Sequence, residues 1–209
     1  SMALAVAVQA LALPPGAEII LPSFTIISCV SAIVEAGCHP VLVDCDPDTW
    51  CMNVDQVAAK ITPRTKAIMP VHIYGHVADM TPLNKLAQQH GLAIIEDAAE
   101  AHGGQYHGRR AGSLGTMGCF SFYANKIVTT GEGGIAVTNS AALAERMSLL
   151  RSHGITRDPA MMERSEAPAW HYEQQALGFN YRMTDLQAAL GLSQLDRLTT
   201  FVDKIGRAH

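Results

Sequence analysis

The sequence predicts an α/β protein, a three-layer α/β/α sandwich around a mixed, mostly parallel sheet. Short apolar runs end in an acid or a turn residue, as in Pro40-Val41-Leu42-Val43-Asp44 and Leu92-Ala93-Ile94-Ile95-Glu96-Asp97. Segments with helical spacing separate these runs. Strands that are apolar throughout and alternate with helices belong to parallel sheets covered on both faces. In such sheets ligands bind beyond the carboxyl ends of the strands.

The elements follow in order. Residues 3–13, rich in Ala and Leu, read as a helix stopped by Pro14-Pro15-Gly16. Glu18–Leu21 is a short strand closed by Pro22, and residues 24–36 read as a buried helix ending at Gly37. A strand over 40–44, a helix over 54–61, a strand over 66–71 and a helix over 80–90 closed by Gly91 come next. The acid-tipped strand ends at Asp97, and glycines at 103, 104, 108, 112, 115 and 118 then punctuate a long loop. Cys119–Tyr123 and Gly134–Thr138 read as strands, and Ala141–Arg151 as an amphipathic helix. Residues 155–176 lack periodicity and read as a mobile loop. Met183–Val202 reads as one long closing helix with Thr184 as its N-cap.

Composition narrows the class. Hydrophobic residues make up 48% of the 209 and charged residues 16%, enough apolar material for a sizeable core and too little charge for a disordered chain. The net charge of −4 gives no basis for nucleic-acid binding or a polybasic membrane anchor. No apolar run is long enough to span a bilayer. Five cysteines, an odd number with no Cys-x-x-Cys pair, argue against a disulfide framework and a structural zinc site, and for a reduced, cytoplasmic setting.

Two residues stand where chemistry could occur. Lys126 lies in FSFYANKIVTTGEGG, after a strand and before a glycine-rich turn. A lone lysine is ordinarily a solvated surface residue. Here Ser121, Thr129, Thr130, Gly131, Gly133 and Gly134 surround it with hydroxyls and free amides suited to a phosphate. A partly deprotonated lysine amine there could form a Schiff base with a carbonyl cofactor. Asp97 ends an all-apolar strand. Alone it reads as a cap or turn former, yet a protonated pyridine nitrogen needs such a carboxylate. At about 4 Å and an effective dielectric near 20 the attraction is roughly 4 kcal/mol, on the order of three pKa units. Glu96 must point to the opposite side of the strand, so only one of the two acids can serve.

PSFT (22–25), EDAAEAHG (96–103), GCFSFYANKIVTTGEGG (118–134) and LGFNYRMTDLQAALGLSQL (177–195) together resemble the nucleotide-sugar aminotransferases of fold type I, over nearly the whole chain. The resemblance implies pyridoxal 5′-phosphate as cofactor, with Lys126 bonded to it and shuttling the proton. It implies Asp97 on the ring nitrogen, Ser121 on the phosphate, and Glu100 on the cofactor's hydroxyl. Asn180 would reach the phosphate held by the other subunit of a homodimer. His102 is a weaker candidate, and a packed structural histidine is an equal reading. Ile26 stands where relatives place an aromatic ring over the pyridine, and gives apolar contact without a quadrupole.

Within the family, PSFTIISC and EDAAE resemble members that make GDP-perosamine. RSHGITRDP (151–159) and the segment over 172–195 resemble those acting on UDP-linked 4-keto sugars. Both aminate C4 of a 4-keto-6-deoxy hexose, with glutamate as the implied donor, for cell-surface glycans. A sugar dehydratase on the same fold would carry histidine in place of Lys126. The chain is expected to form one cofactor-binding large domain over residues 1–209. By the resemblance it lacks the family's Ser-Gly-Thr phosphate turn and small C-terminal domain, and is therefore weakly active or inactive. The competing expectation is a fragment that folds and dimerises without productive cofactor binding.

Overall fold

The computed structural model describes residues 1–164, 168 and 170–207. Its main sheet has six strands: β1 (Glu18–Pro22), β2 (His39–Val43), β3 (Thr65–Ile68), β4 (Ala93–Asp97), β7 (Met117–Ser121) and β8 (Gly134–Thr138). They run in the order β2-β1-β3-β4-β7-β8. The first five are mutually parallel, and β8 closes the sheet antiparallel to β7. The expected mixed, mostly parallel sheet is thus present.

Alternation along the strands divides the core into two layers. Ile19, Leu21, Ile95 and Met117 pack on one face with helices α1 (Met2–Ala10), α2 (Ile27–Glu35) and α5 (Ala141–Arg151). Ile20, Ile68 and Ile94 pack on the other with α3 (Val54–Lys60) and α4 (Met80–His90). Period two puts neighbouring residues of β1 and β4 into different layers.

Several elements differ from expectation. The first helix ends at Ala10, because Ala12 turns into the left-handed region at φ 49°. α2 is half-buried rather than buried: Cys29, Ala32 and Ile33 enter the core while Ile27 and Val34 stay exposed. β2 lies at the sheet edge with Leu42 exposed, and the Leu42 carbonyl accepts from Lys60 Nζ at 2.6 Å. The long loop is pinned at its ends by the two-residue ladder of β9 (Ile155–Thr156) with β10 (Glu173–Gln174). Part of the expected mobile loop, residues 165–167 and 169, lies outside the described residues.

The closing helix is two helices, α6 (Asp185–Leu195) and α7 (Leu198–Arg207). At the break the Arg197 amide bonds to the Gln194 carbonyl, a three-residue step that bends the axis. The bend brings Leu198 and Val202 against Gly103, where a Cβ would sit 3.0 Å from Val202 Cγ2. Thr184 caps α6 as expected, in a reciprocal capping box with Gln187.

Glu96 holds the glycine-rich loop to the sheet. One carboxylate oxygen accepts from the amides of Leu114 (2.7 Å) and Gly115 (2.6 Å). The other accepts from the Gly112 amide (2.7 Å) and from His72 Nε2 (2.9 Å). His72 Nδ1 accepts from the Ala78 amide, so Nε2 carries the hydrogen. The loop lies so close that a Cβ on Gly118 would come within 2.3 Å of Gly112 Cα. Between Asp97 and this loop runs a hairpin of β5 (Gln105–Tyr106) and β6 (Arg109–Arg110), turned by His107 and Gly108, both at positive φ.

Candidate active site

A cavity of about 1010 Å³ opens beyond the carboxyl ends of the central strands. Each strand end contributes one wall. Phe24, Thr25 and Ile26 follow β1, His72 and Tyr74 follow β3, Asp97 ends β4 with Glu100 beyond it, and Ser121 ends β7 with Lys126 beyond it. The first turn of α1 completes the ring through Ser1, Met2 and Ala3. The opening amides of a helix have no intrahelical acceptor and carry partial positive charge, so this wall favours an anion.

Asp97 is 3% exposed and faces the α2 layer, opposite Glu96. One oxygen accepts from the Ala99 amide (3.1 Å) and the other from the Cys29 thiol (3.0 Å). The strand alternation anticipated from the sequence therefore assigns the two acids separate tasks. Glu96 binds backbone, and Asp97 lines the cavity. Burial opposes charge on Glu96, but His72 and the amides of Gly115 and Gly112 together hold its carboxyl below the usual carboxylate range.

Lys126 Nζ reaches into the same cavity and pairs with Glu100 Oε1 at 2.9 Å. The second Glu100 oxygen accepts from the Tyr74 amide at 2.9 Å. Tyr74 has φ 51°, an uncommon conformation for an aromatic residue and a form of local strain found at functional sites.

Residues 1–207 match the DegT/DnrJ/EryC1/StrS aminotransferase family. The chain belongs to that family. It is 48% identical over 196 residues to the GDP-perosamine synthase of Caulobacter vibrioides, covering 94% of this chain and 50% of that one. It is 40% identical over 208 residues to a UDP-N-acetyl-3-dehydro-alpha-D-glucosamine 3-aminotransferase of Acidithiobacillus ferrooxidans, covering 99% and 53%. A solved aminotransferase from Psychrobacter cryohalolentis superposes with a TM-score of 0.87 at 41% identity, covering 93% and 49%. The chain spans about half the length of the curated relatives it matches.

In this DegT/DnrJ/EryC1/StrS chain, Lys126, Asp97, Glu100, Ser121, Ile26 and Asn180 all line the one cavity. Ile26 is 62% exposed on its wall. Asn180 is exposed and tied to the end of α5 by a bridge to Ser152, with Phe179 N–H bonding the Leu150 carbonyl beside it.

Other expected residues are elsewhere. Thr129 Oγ1 donates to the Phe122 carbonyl and Thr130 Oγ1 to the Glu132 carbonyl, so both hydroxyls are consumed inside their own loop. Gly133 and Gly134 reach the cavity, whereas Thr129, Thr130 and Gly131 do not line it. His102 is packed between Phe120 and Phe122, with ring centroids 5.4 and 5.8 Å away. Its ring nitrogens have no partner among the described residues, and burial depresses its pKa to about 4. It is the packed histidine of the two readings. Cys29 and Tyr74 carried no sequence signal, because their partners Asp97 and Glu100 lie 68 and 26 residues away.

Proposed function

We propose that this chain is the cofactor-binding large domain of an enzyme that aminates the C4 ketone of a 4-keto-6-deoxy nucleotide sugar. Pyridoxal 5′-phosphate is the cofactor and glutamate the amino donor. The observation that carries this reading is the pairing, in one cavity, of a buried carboxylate with a lysine amine. The residues fit the cofactor: Asp97 suits a protonated ring nitrogen, Lys126 a carbonyl carbon, and the first turn of α1 with Ser121 a phosphate.

When bound, the cofactor supplies an electron-withdrawing ring that stabilises negative charge at the carbon bearing the amine. The chain's own groups do the rest. Asp97, held by two hydrogen bonds, keeps its charge directed at the ring nitrogen. Lys126 Nζ carries a proton to and from the reacting carbon. Glu100, 2.9 Å away, steadies that amine and is the nearest acceptor for its proton. The curated relatives include three GDP-perosamine synthases, from Caulobacter vibrioides, Escherichia coli O157:H7 and Vibrio cholerae, which supports a nucleotide-linked substrate.

Titration with pyridoxal phosphate should produce the visible absorbance band of the lysine-bound cofactor. Glutamate should bleach that band, and a 4-keto-6-deoxy nucleotide sugar should restore it. No band at any cofactor concentration would overturn the reading.

The same reading includes a cytoplasmic enzyme acting as a two-fold homodimer, with the exposed Asn180 reaching the partner's phosphate. Leu177, Leu186 and Leu192 stand exposed on and before α6, a surface a subunit contact would cover. Light scattering at micromolar concentration should give twice the chain mass of 22.4 kDa, and a monomer there would count against it.

A further inference from the structure

We infer that Cys29 is a positioning residue that, with Thr25, fixes the rotamer of Asp97 so that its carboxylate meets the cofactor's ring nitrogen. This rests on the proposed function above. The supporting geometry is a three-residue relay. The Thr25 hydroxyl on the cavity wall lies 3.3 Å from Cys29 Sγ, and that thiol donates to Asp97 Oδ2 at 3.0 Å. Cys29 is fully buried in the first turn of α2 and does not line the cavity, so it acts through Asp97 rather than on a ligand.

Asp97 has few other restraints. Its remaining side-chain bond runs to the Ala99 amide, two residues along the same turn. That contact fixes one oxygen but moves with the turn. The Cys29 bond reaches across the α2 layer, anchoring the carboxylate to a second element. The thiol is also a constant donor. Burial and the charge of Asp97 both push its pKa far above the ordinary thiol value, so it keeps its hydrogen throughout the working range. An S–H group is a weak donor. It orients the carboxylate while leaving most of its negative charge for the ring nitrogen, whereas a hydroxyl at the same place would draw off more.

The first arm of the test needs no cofactor. The infrared S–H stretch of Cys29, assigned by its loss in Cys29→Ser, should lie at the lowered frequency of a thiol bonded to a carboxylate. It should rise in Asp97→Asn. A free-thiol frequency, or no response to Asp97→Asn, would overturn the proposal.

The second arm reads cofactor affinity from the visible band. Cys29→Val removes the donor while adding roughly one methyl group of bulk, and should weaken binding by about three- to tenfold, the range expected for one lost hydrogen bond. Cys29→Ser should recover to within about twofold, with the ring nitrogen less fully protonated by ¹⁵N NMR of labelled cofactor, because the stronger donor competes for the carboxylate. Thr25→Val, at the accessible end of the relay, should weaken binding in the same direction if Cys29→Val fails to fold. Wild-type affinity in Cys29→Val, or in Thr25→Val where that variant stands in for it, would refute the positioning role while the proposed function stands. A wild-type chain that shows no band at all would instead refute the proposed function, and this inference with it.

Discussion

Lys126→Ala is expected to abolish the visible band of bound pyridoxal phosphate completely while leaving the circular dichroism spectrum unchanged. Lys126 is the only lysine among the described residues lining the cavity, so no other side chain there can bond the cofactor's carbonyl carbon. Any glutamate-dependent turnover should fall by on the order of 10²-fold or more, the usual contribution of a positioned proton carrier. The fold should survive because the residue is peripheral to both core layers. Its partner Glu100 keeps the Tyr74 amide and retains 35% side-chain exposure, so water can replace the lost ammonium. A band of wild-type strength in the variant would show that the cofactor, if bound, is held by another group.

Glu96→Gln, the neighbouring acid, is expected to unfold the chain far more readily. The substitution keeps the volume, so the effect comes from the lost charge and from the hydrogen bonds that charge accepts. Each oxygen of Glu96 accepts from two donors. Glutamine offers one oxygen and turns an NH₂ toward two N–H donors, leaving buried groups facing one another unpaired. Each buried donor left unpaired costs about 1–3 kcal/mol, so together they take a large share of the roughly 5–15 kcal/mol that holds a domain together. The urea midpoint should drop sharply, and an unchanged midpoint would disprove the clasp.

The same group sets an acid limit. The folded carboxyl sits below its ordinary value of 4.5. Its contribution is therefore complete above that value and is lost as the pH falls through the lower, folded one. Wild-type stability should decline on the acid side, and Glu96→Gln should flatten that decline.

The two fates of Glu96 and Asp97 were legible in the sequence, because a strand sends adjacent side chains to opposite faces wherever it lies. The position of Lys126 on the cavity was legible through its place between a strand end and a glycine turn. The relay onto Asp97 was not, since nothing local marks Cys29 as its donor; the contact exists only after β1 and β4 are brought into one sheet. Thr129 and Thr130 misled for the opposite reason. A hydroxyl beside glycines suits a phosphate and equally suits a neighbouring carbonyl, and here the carbonyls of Phe122 and Glu132 were nearer. The break at Asp196–Arg197 carries no proline or glycine, so periodicity alone ran two helices together.

The edge strand β2 bears on how the protein behaves in concentrated solution. An unpaired row of peptide groups bearing an exposed leucine is a template for adding a strand from another molecule. The ammonium of Lys60 lies over that row and occupies the Leu42 carbonyl, placing a hydrated positive charge where an incoming backbone would dock. Acylation of lysines, as in acetylation or amine-directed ester labelling, would neutralise this guard as well as Lys126, so material treated that way is expected to lose colloidal stability and the cofactor chemistry proposed for Lys126 through two unrelated residues at once.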